Sequence, residues 1–357
     1  MNLIPYIKKH GQKDYLEFDL NEIDLSIFSI LAYLKLDKNF TKPILLGELV
    51  RQYQKKDKKI IKNTYGIKSI NDLLKVIVKY PRYSNIIVSD YFEEKDVSLE
   101  KQYASITFHL NDYNHIVAFR GTDHSIVGWK EDFNLTYVKE TPSQKTAKKY
   151  LKKMLCKYKG KFTVTGHSKG GNLAVYAGCH APVFFSHKLK YFYNFDGPGF
   201  DFQIVNAKPF ENNKHKIINL YPKDSVIGMI FYTFGVKKFI KTAILGIISH
   251  DLRLWRIKDD KFIEGDQTNF SSFINQSINS WLQKASYSDR KKIVNLLFGL
   301  VNIDGELKLK TSPKKAYETI KDIVSKYHQI DEEDRKLIIK QFSNLIKSSK
   351  SKSKEGL

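Results

Sequence analysis

The stretch that decides the fold is Val164-Thr165-Gly166-His167-Ser168-Lys169-Gly170-Gly171-Asn172. It contains the pattern Gly-x-Ser-x-Gly between a short strand-like run, residues 162–165, and a helix-like run that starts at Gly170. A serine on a tight strand-to-helix turn holds its hydroxyl above the carboxyl end of the sheet, at the positive end of the helix. The glycines are expected because larger side chains would collide with neighbouring backbone. The stretch therefore predicts a reactive serine, Ser168, on such an elbow.

The residues around this elbow change hydrophobic period several times. Apolar and polar residues alternate over 106–110, and a turn at 111–114 leads to a second strand at 115–119. A basic amphipathic helix is expected over 143–158, and further strands at 191–195, 216–221 and 252–257. Alternating strands and helices predict the α/β class, with a mostly parallel sheet flanked by helices. Together with the elbow, the pattern predicts an α/β-hydrolase fold.

The two ends of the chain have a different pattern. Residues 1–95 are mostly helical in period, and Asn21 is the expected N-cap of a helix that continues to Leu34. Helical periodicity returns after residue 265. We therefore expect an N-terminal helical region (1–95) packed on the core, an α/β-hydrolase core (96–265), a C-terminal helical extension (266–346) and a disordered basic tail (347–357).

Lysine residues supply most of the positive charge of the chain. Lys and Arg number 60 against 38 Asp and Glu, a formal net charge of +22, and only seven of the 60 are arginines. Proteins that bind phosphates and bases favour the planar arginine fork, so this composition argues against nucleic-acid binding. Attraction to an anionic membrane surface needs only a positive field and stays open.

Composition also limits the compartment and the cofactors. The two cysteines do not form a disulfide framework, and no apolar run is long enough for a signal peptide or a membrane-spanning helix. We therefore expect a cytoplasmic protein, with peripheral membrane association as the open alternative. No metal-binding or nucleotide-binding motif appears, so no cofactor and no metal are expected.

A nucleophilic serine needs a base and an acid, which follow it along the chain in the order Ser, acid, His. His250 is the base by elimination, because the other histidines after Ser168 fall at the wrong ends of elements or in distal helices; these are His180, His187, His215 and His328. Asp196 and Asp224 each follow a strand at the edge of the sheet where Ser168 lies. Asp224 is the preferred acid, and Asp196 is the alternative acid or a structural turn residue.

The oxyanion of an acyl-transfer reaction needs two hydrogen-bond donors. One is the backbone N–H of the residue after the serine, here Lys169. The other is expected on a loop before the nucleophile. Thr122, in Phe119-Arg120-Gly121-Thr122-Asp123, is well placed to supply it through its backbone N–H or its hydroxyl.

At these residues the chain resembles the Mbeg-like family of bacterial lipase-like α/β-hydrolases, which are distantly similar to class 3 lipases. The resemblance covers roughly residues 1–265 and lies in six blocks: Asn21–Leu34, Phe119–Asn134, Gly166–Ala174, Asn194–Gly199, Pro222–Gly228, and His250 with Trp255. It implies Ser168, Asp224 and His250 as the triad, with Thr122 near the oxyanion hole. Lys169 stands where class 3 lipases usually have leucine.

An apolar segment between Asp224 and His250 bears on the substrate. It comprises residues 226–236 and 243–248, with lysines between them. It is either a lid or acyl-chain wall over the active-site mouth, or a buried core segment. The sequence therefore favours a serine hydrolase that cleaves acyl esters, including lipids, through an acyl-enzyme intermediate. The alternatives are a binding or regulatory protein of the same fold with little turnover, and a thioesterase or peptidase.

Overall fold

A computed structural model of the chain describes residues 1–36, 39–56, 70–123, 126–301, 331–337 and 339–340. Within these residues, eight strands form one sheet whose spatial order is the order of the sequence. The strands are β1 (Ile44–Leu45), β2 (Ile87–Asp96), β3 (Lys101–Asn111), β4 (Asn114–Phe119), β5 (Lys161–His167), β6 (Leu189–Phe195), β7 (Ile217–Pro222) and β8 (Val236–Ile240). Strands β1 to β4 pair antiparallel, and β4 to β8 pair parallel.

Helices that connect the parallel strands pack on one face of the sheet. The connecting helices are α6 (Ile126–Asn134), α7 (Pro142–Lys157), α8 (Lys169–Cys179), α9 (Phe202–Val205) and α10 (Lys208–Asn213). Parallel strands that follow one another in a single direction, with right-handed crossovers, place their connections on the same side. Val117 and Phe119 of β4 accordingly share a core with apolar residues of α7, α8 and α10.

The N-terminal region covers the opposite face. Its helices are α1 (Leu3–His10), α2 (Glu22–Leu31), α3 (Leu46–Lys56), α4 (Asn71–Ile77) and α5 (Pro81–Ser84). Ile116 and Ala118, which alternate with Val117 and Phe119 along β4, belong to this second core. The predicted cap is confirmed, because the Asn21 side chain accepts hydrogen bonds from two N–H groups in the first turn of α2.

The sheet begins earlier than the sequence indicated. Strand β2 begins at Ile87, and β1 lies earlier still, so the region 1–95 is not wholly helical. Strand β2 was not readable from hydrophobic period, because the polar residues Ser89 and Asp90 are buried in it beside the apolar Val88 and Tyr91.

The strand predicted over 252–257 is wrong. Leu252–Leu254 is a 3₁₀ helix, and Trp255 forms no more than an isolated antiparallel bridge with Thr242. Ile257–Lys258 (β9) pairs with Lys261–Phe262 (β10) as a separate two-stranded sheet. The apolar character of this run has another cause, since Trp255 is fully buried in the N-terminal core. The sheet therefore ends at β8.

Two helices of the C-terminal extension are described, α11 (Asn269–Lys284) and α12 (Tyr287–Val301). Residues 332–337 are also helical, whereas the predicted tail, 347–357, lies outside the described residues. None of the helices in the described part of the chain is long and apolar enough to cross a membrane.

Candidate active site

Ser168 lies on the turn between the end of β5 and the start of α8. Its backbone has φ +58° and ψ −133°, a strained region for a residue other than glycine. A Cβ on Gly166 would lie 2.1 Å from the Gly170 carbonyl oxygen, and a Cβ on Gly170 would lie 2.2 Å from the Phe119 carbonyl oxygen. Both glycines are therefore required for the chain to pass through this turn. Ser168 itself is half-buried, so its hydroxyl is not sealed in the core.

The structure pairs His250 with Asp196. The distance from His250 Nδ1 to Asp196 Oδ2 is 2.6 Å. Asp196 is only 1% exposed, whereas a quarter of the His250 side chain (25%) is exposed. A carboxylate only accepts hydrogen bonds, so Nδ1 carries the proton in this pair and Nε2 is left to accept one.

Asp224, the acid preferred from the sequence, is not the partner of His250. Among the described contacts none joins the two residues, and the Oδ2 of Asp224 is buried without a hydrogen-bond partner there. Asp196 follows β6, which is hydrogen-bonded directly to the strand that leads to Ser168, whereas Asp224 follows β7, one strand further away. Asp196, and not Asp224, is thus the aspartate that bonds to His250.

Chain neighbours hold the three candidate residues together. The N–H of Ser168 donates to the carbonyl of Phe195, the residue before Asp196, at 2.9 Å. The side chain of His167, the residue before Ser168, bonds through Nε2 to the carbonyl of His250 at 2.8 Å. Each pair of candidates is therefore linked either directly or through the residue next to one of them. Within the described residues, no hydrogen bond occupies Ser168 Oγ or His250 Nε2.

The loop after β7 fixes the second oxygen of the Asp196 carboxylate. Ser225 Oγ donates to Asp196 Oδ1 at 2.5 Å, and the N–H of Gly228 donates to the same oxygen at 3.2 Å. Asp196 has φ +49°, so its turn is strained like that of Ser168. Sequence reasoning missed Ser225 as an orienting residue, although it lies next to Asp224 in one of the six blocks.

His167 has a defined tautomer. Its Nε2 faces a backbone carbonyl, which can only accept, so Nε2 carries the proton. Burial lowers the pKa of His167 well below its usual value, and His250 lowers it further, so the ring is neutral. Its Nδ1 therefore accepts from the Tyr33 hydroxyl, 3.0 Å away. The N-terminal layer thus reaches the elbow directly, through a histidine that the sequence analysis did not single out.

The two expected oxyanion donors both lie close to the elbow. Lys169 begins α8, and the Thr122 loop follows β4, the strand next to β5. In the part of the chain that the structure describes, no acceptor is bonded to the backbone N–H of either residue. The Thr122 hydroxyl, in contrast, donates to the Oδ2 of Asp132 on α6.

The apolar segment before His250 divides into two parts. In the first part Met229 and Phe231 are buried, most of the other residues are half-buried, and Val236 begins strand β8. Ile244, Leu245 and Ile248 are exposed large apolar residues in the loop that leads directly into His250. Among the described residues, no group of three His, Cys, Asp or Glu side chains could hold a metal ion.

One known protein family matches the larger part of the chain. The family described as Mbeg1-like matches residues 77–299, more than half of the chain. The chain belongs to the Mbeg1-like family. The match starts later than the motif blocks suggested and extends past residue 265, so it includes α11 and most of α12.

Two solved structures show similarity to the chain. M37 lipase is 17% identical with a TM-score of 0.40, over 59% of this chain and 70% of that chain. A mutant form of MDLA from Penicillium cyclopium is 16% identical with a TM-score of 0.38, over 71% of this chain and 92% of that chain. No curated protein gives a significant match to the chain.

Proposed function

We propose that this protein is a serine hydrolase that cleaves acyl esters through Ser168, His250 and Asp196. The observation that carries the proposal is the 2.6 Å bond between His250 and a fully buried aspartate, tied by neighbouring residues to a serine on a strained elbow. Two free backbone N–H groups beside that serine add the feature that acyl transfer requires. Pairing of His250 with Asp196 rather than Asp224 makes Asp196 the proposed acid.

The chemistry follows from the placement of the protons. His250 Nε2 takes the hydroxyl proton of Ser168 as Oγ attacks the ester carbonyl, and the imidazolium is stabilised by Asp196. The N–H groups of Thr122 and Lys169 hold the resulting oxyanion. His250 then protonates the departing alcohol, which leaves an acyl-enzyme. Water hydrolyses this intermediate by the same sequence of proton transfers.

The function is tested with aryl esters of increasing acyl length. We expect hydrolysis by the wild type and about 10⁶-fold less catalysis by Ser168→Ala, which keeps the fold but removes the nucleophile. A folded wild type that hydrolyses none of the esters would contradict the proposal and favour a binding or regulatory role. Preference for longer acyl chains would support lipids over small esters as the substrate class.

We further propose that the exposed loop before His250 contacts an anionic membrane. Ile244, Leu245 and Ile248 are apolar and exposed beside the candidate base, and the exposed Lys241 precedes them. Apolar side chains gain free energy by insertion among acyl chains, and nearby lysines are attracted to anionic headgroups. This arrangement would bring a lipid ester to Ser168.

Leu245→Asp and Phe184→Asp form a matched pair for testing membrane contact. The two residues are 60% and 66% exposed. Phe184 lies just before β6, however, at the end of the sheet opposite Ser168. We expect Leu245→Asp alone to lose flotation with phosphatidylserine vesicles, and raised salt to weaken wild-type flotation. Equal loss in both variants, or wild-type flotation independent of anionic lipid, would rule out this contact surface.

A further inference from the structure

The side chain of Lys169 is buried behind the elbow. Its side chain is only 3% exposed, and its Nζ lies 3.0 Å from Oε2 of Glu131, whose side chain is fully buried. The same Nζ donates to the carbonyl of Gln102 at 2.8 Å. Glu131 also accepts hydrogen bonds from the N–H groups of Gln102 and Ser143. A buried ammonium group requires this kind of pairing, so the Lys169 side chain has a fixed position.

Two routes connect this ion pair to the Thr122 loop. Glu131 is adjacent on α6 to Asp132, which accepts the Thr122 hydroxyl hydrogen bond. Gln102 Oε1 lies 3.3 Å from Lys169 Nζ and also accepts from the N–H of Asp123, at 3.3 Å. Both routes start at the side chain of Lys169 and end at the Thr122 loop. The backbone N–H groups of these two residues are the two proposed oxyanion donors.

We propose that Lys169 is a positioning residue whose buried pair with Glu131 sets the separation between its own backbone N–H and that of Thr122. The inference rests on the proposed function, because these two N–H groups matter only if an oxyanion forms beside Ser168. Catalysis is sensitive to such a separation, since a misplacement of about 1 Å can reduce the rate about 100-fold. The charged side chain of Lys169 thus affects the reaction by setting the positions of the two backbone N–H groups.

The test uses the double variant Lys169→Met/Glu131→Gln. It removes both charges, which avoids leaving one buried charge without its partner. Its urea midpoint is expected to be lower than that of the wild type, because the amide has one oxygen for the Gln102 and Ser143 N–H groups that Glu131 accepts on separate oxygens. A purely structural role predicts that the folded double variant keeps wild-type activity. Lys152→Met is the control, because Lys152 is an exposed lysine on α7.

We expect the double variant to fold with a lower urea midpoint than the wild type, because one buried backbone N–H loses its acceptor. Its kcat for a short aryl ester falls about 100-fold, with KM within about threefold. Lys152→Met keeps the wild-type kcat. Wild-type kcat in the folded double variant, or a change confined to KM, would overturn the proposal. If the double variant does not fold, Lys169→Arg keeps the charge but alters the length. A kcat at least about tenfold lower supports the proposal, and wild-type kcat overturns it.

The two proposals fail in different ways. Absence of hydrolysis by the wild type would remove the proposed function and this inference together. Hydrolysis by the wild type with undiminished kcat in the double variant would remove only the role of the ion pair.

Discussion

Thr122 has one hydroxyl proton, and in the structure it is donated to Asp132. Burial raises the pKa of Asp132 to about 6, and its carboxyl group accepts this bond in the structure. The same proton cannot also be donated to an oxyanion. The backbone N–H of Thr122 is therefore the donor that the geometry leaves free, and the hydroxyl acts by holding the loop.

Thr122→Val separates these two roles, because valine keeps the backbone N–H and the shape but has no hydroxyl. We expect kcat for an aryl ester to fall about tenfold, less than the 10²–10³-fold typical of a lost oxyanion donor. Measurements of kcat and KM on a short-chain ester distinguish these two roles of the Thr122 hydroxyl. A fall beyond about 100-fold would mean that the hydroxyl itself binds the oxyanion.

The sequence indicated the elbow around Ser168 more reliably than it indicated which aspartate bonds to His250. Ser168 was identifiable because only glycines fit at two fixed spacings around it. The acid was harder, because Asp196 and Asp224 follow adjacent parallel strands and reach the same sheet edge. Only the tertiary structure shows that Ser225 and Gly228 bond to Asp196 rather than leave it as a simple turn residue.

At the scale of elements, α11 supports the loop that bonds to Asp196, the proposed acid. Asn279 accepts from the N–H of Phe231 at 2.8 Å and donates to the Phe231 carbonyl at 3.3 Å. Phe231 has φ +70°, which is strained for an aromatic residue, so the amide stabilises an otherwise unfavourable turn. That turn lies three residues after Gly228. The C-terminal extension is therefore coupled to Asp196, a role that helical periodicity after residue 265 could not indicate.

Asn279→Ala should weaken this support. We expect the free energy of unfolding to fall by about 2 kcal/mol, because buried backbone groups lose their partners. We also expect kcat to fall about tenfold through a less fixed Asp196. Asn275→Ala is the matched control, one turn earlier with a single bond to the Met229 carbonyl. Equal effects of the two variants on kcat would argue against the coupling.

At the scale of the whole molecule, the sequence indicated helices flanking the sheet and an N-terminal region packed on the core. It did not indicate where in the chain the sheet begins. Alternation along β3 and the capping signal at Asn21 depend on local sequence, so they were readable. Whether β2 forms, and whether residues 252–257 form a strand, depends on tertiary structure, because a segment becomes a strand only where it pairs with a neighbouring strand. Trp255 instead packs against the N-terminal core, although its sequence context suits a strand.

Buried neutral histidines give the whole fold a pH dependence. Desolvation, with a smaller effect of His115, lowers the pKa of His109 to about 4, and burial lowers those of His115 and His167. In the unfolded chain these rings take up protons near pH 6.5. The unfolded state then binds more protons, so stability present at pH 7 is lost as pH falls from about 6.5 toward 4. Asp132, whose pKa is raised, partly offsets this loss.

Urea unfolding at pH 7, 6, 5 and 4 measures this dependence. We expect the midpoint to fall steadily over the series, with most of the loss below pH 6.5. A midpoint that stays constant from pH 7 to 4.5 would mean that these rings are not buried and neutral in the fold.

The most direct test of the proposed triad is the rate of inactivation by a fluorophosphonate, which attaches covalently to an activated serine. We predict stoichiometric labelling of the wild type on Ser168 and none of Ser168→Ala. Asp196→Asn should react about 10⁴-fold more slowly, since it leaves His250 in the wrong tautomer. Asp224→Asn should react within about tenfold of the wild type, since Asp224 has no bond to His250. A slow Asp224→Asn beside a normal Asp196→Asn would contradict the assignment of the acid, and an unlabelled, folded wild type would contradict the active site as a whole.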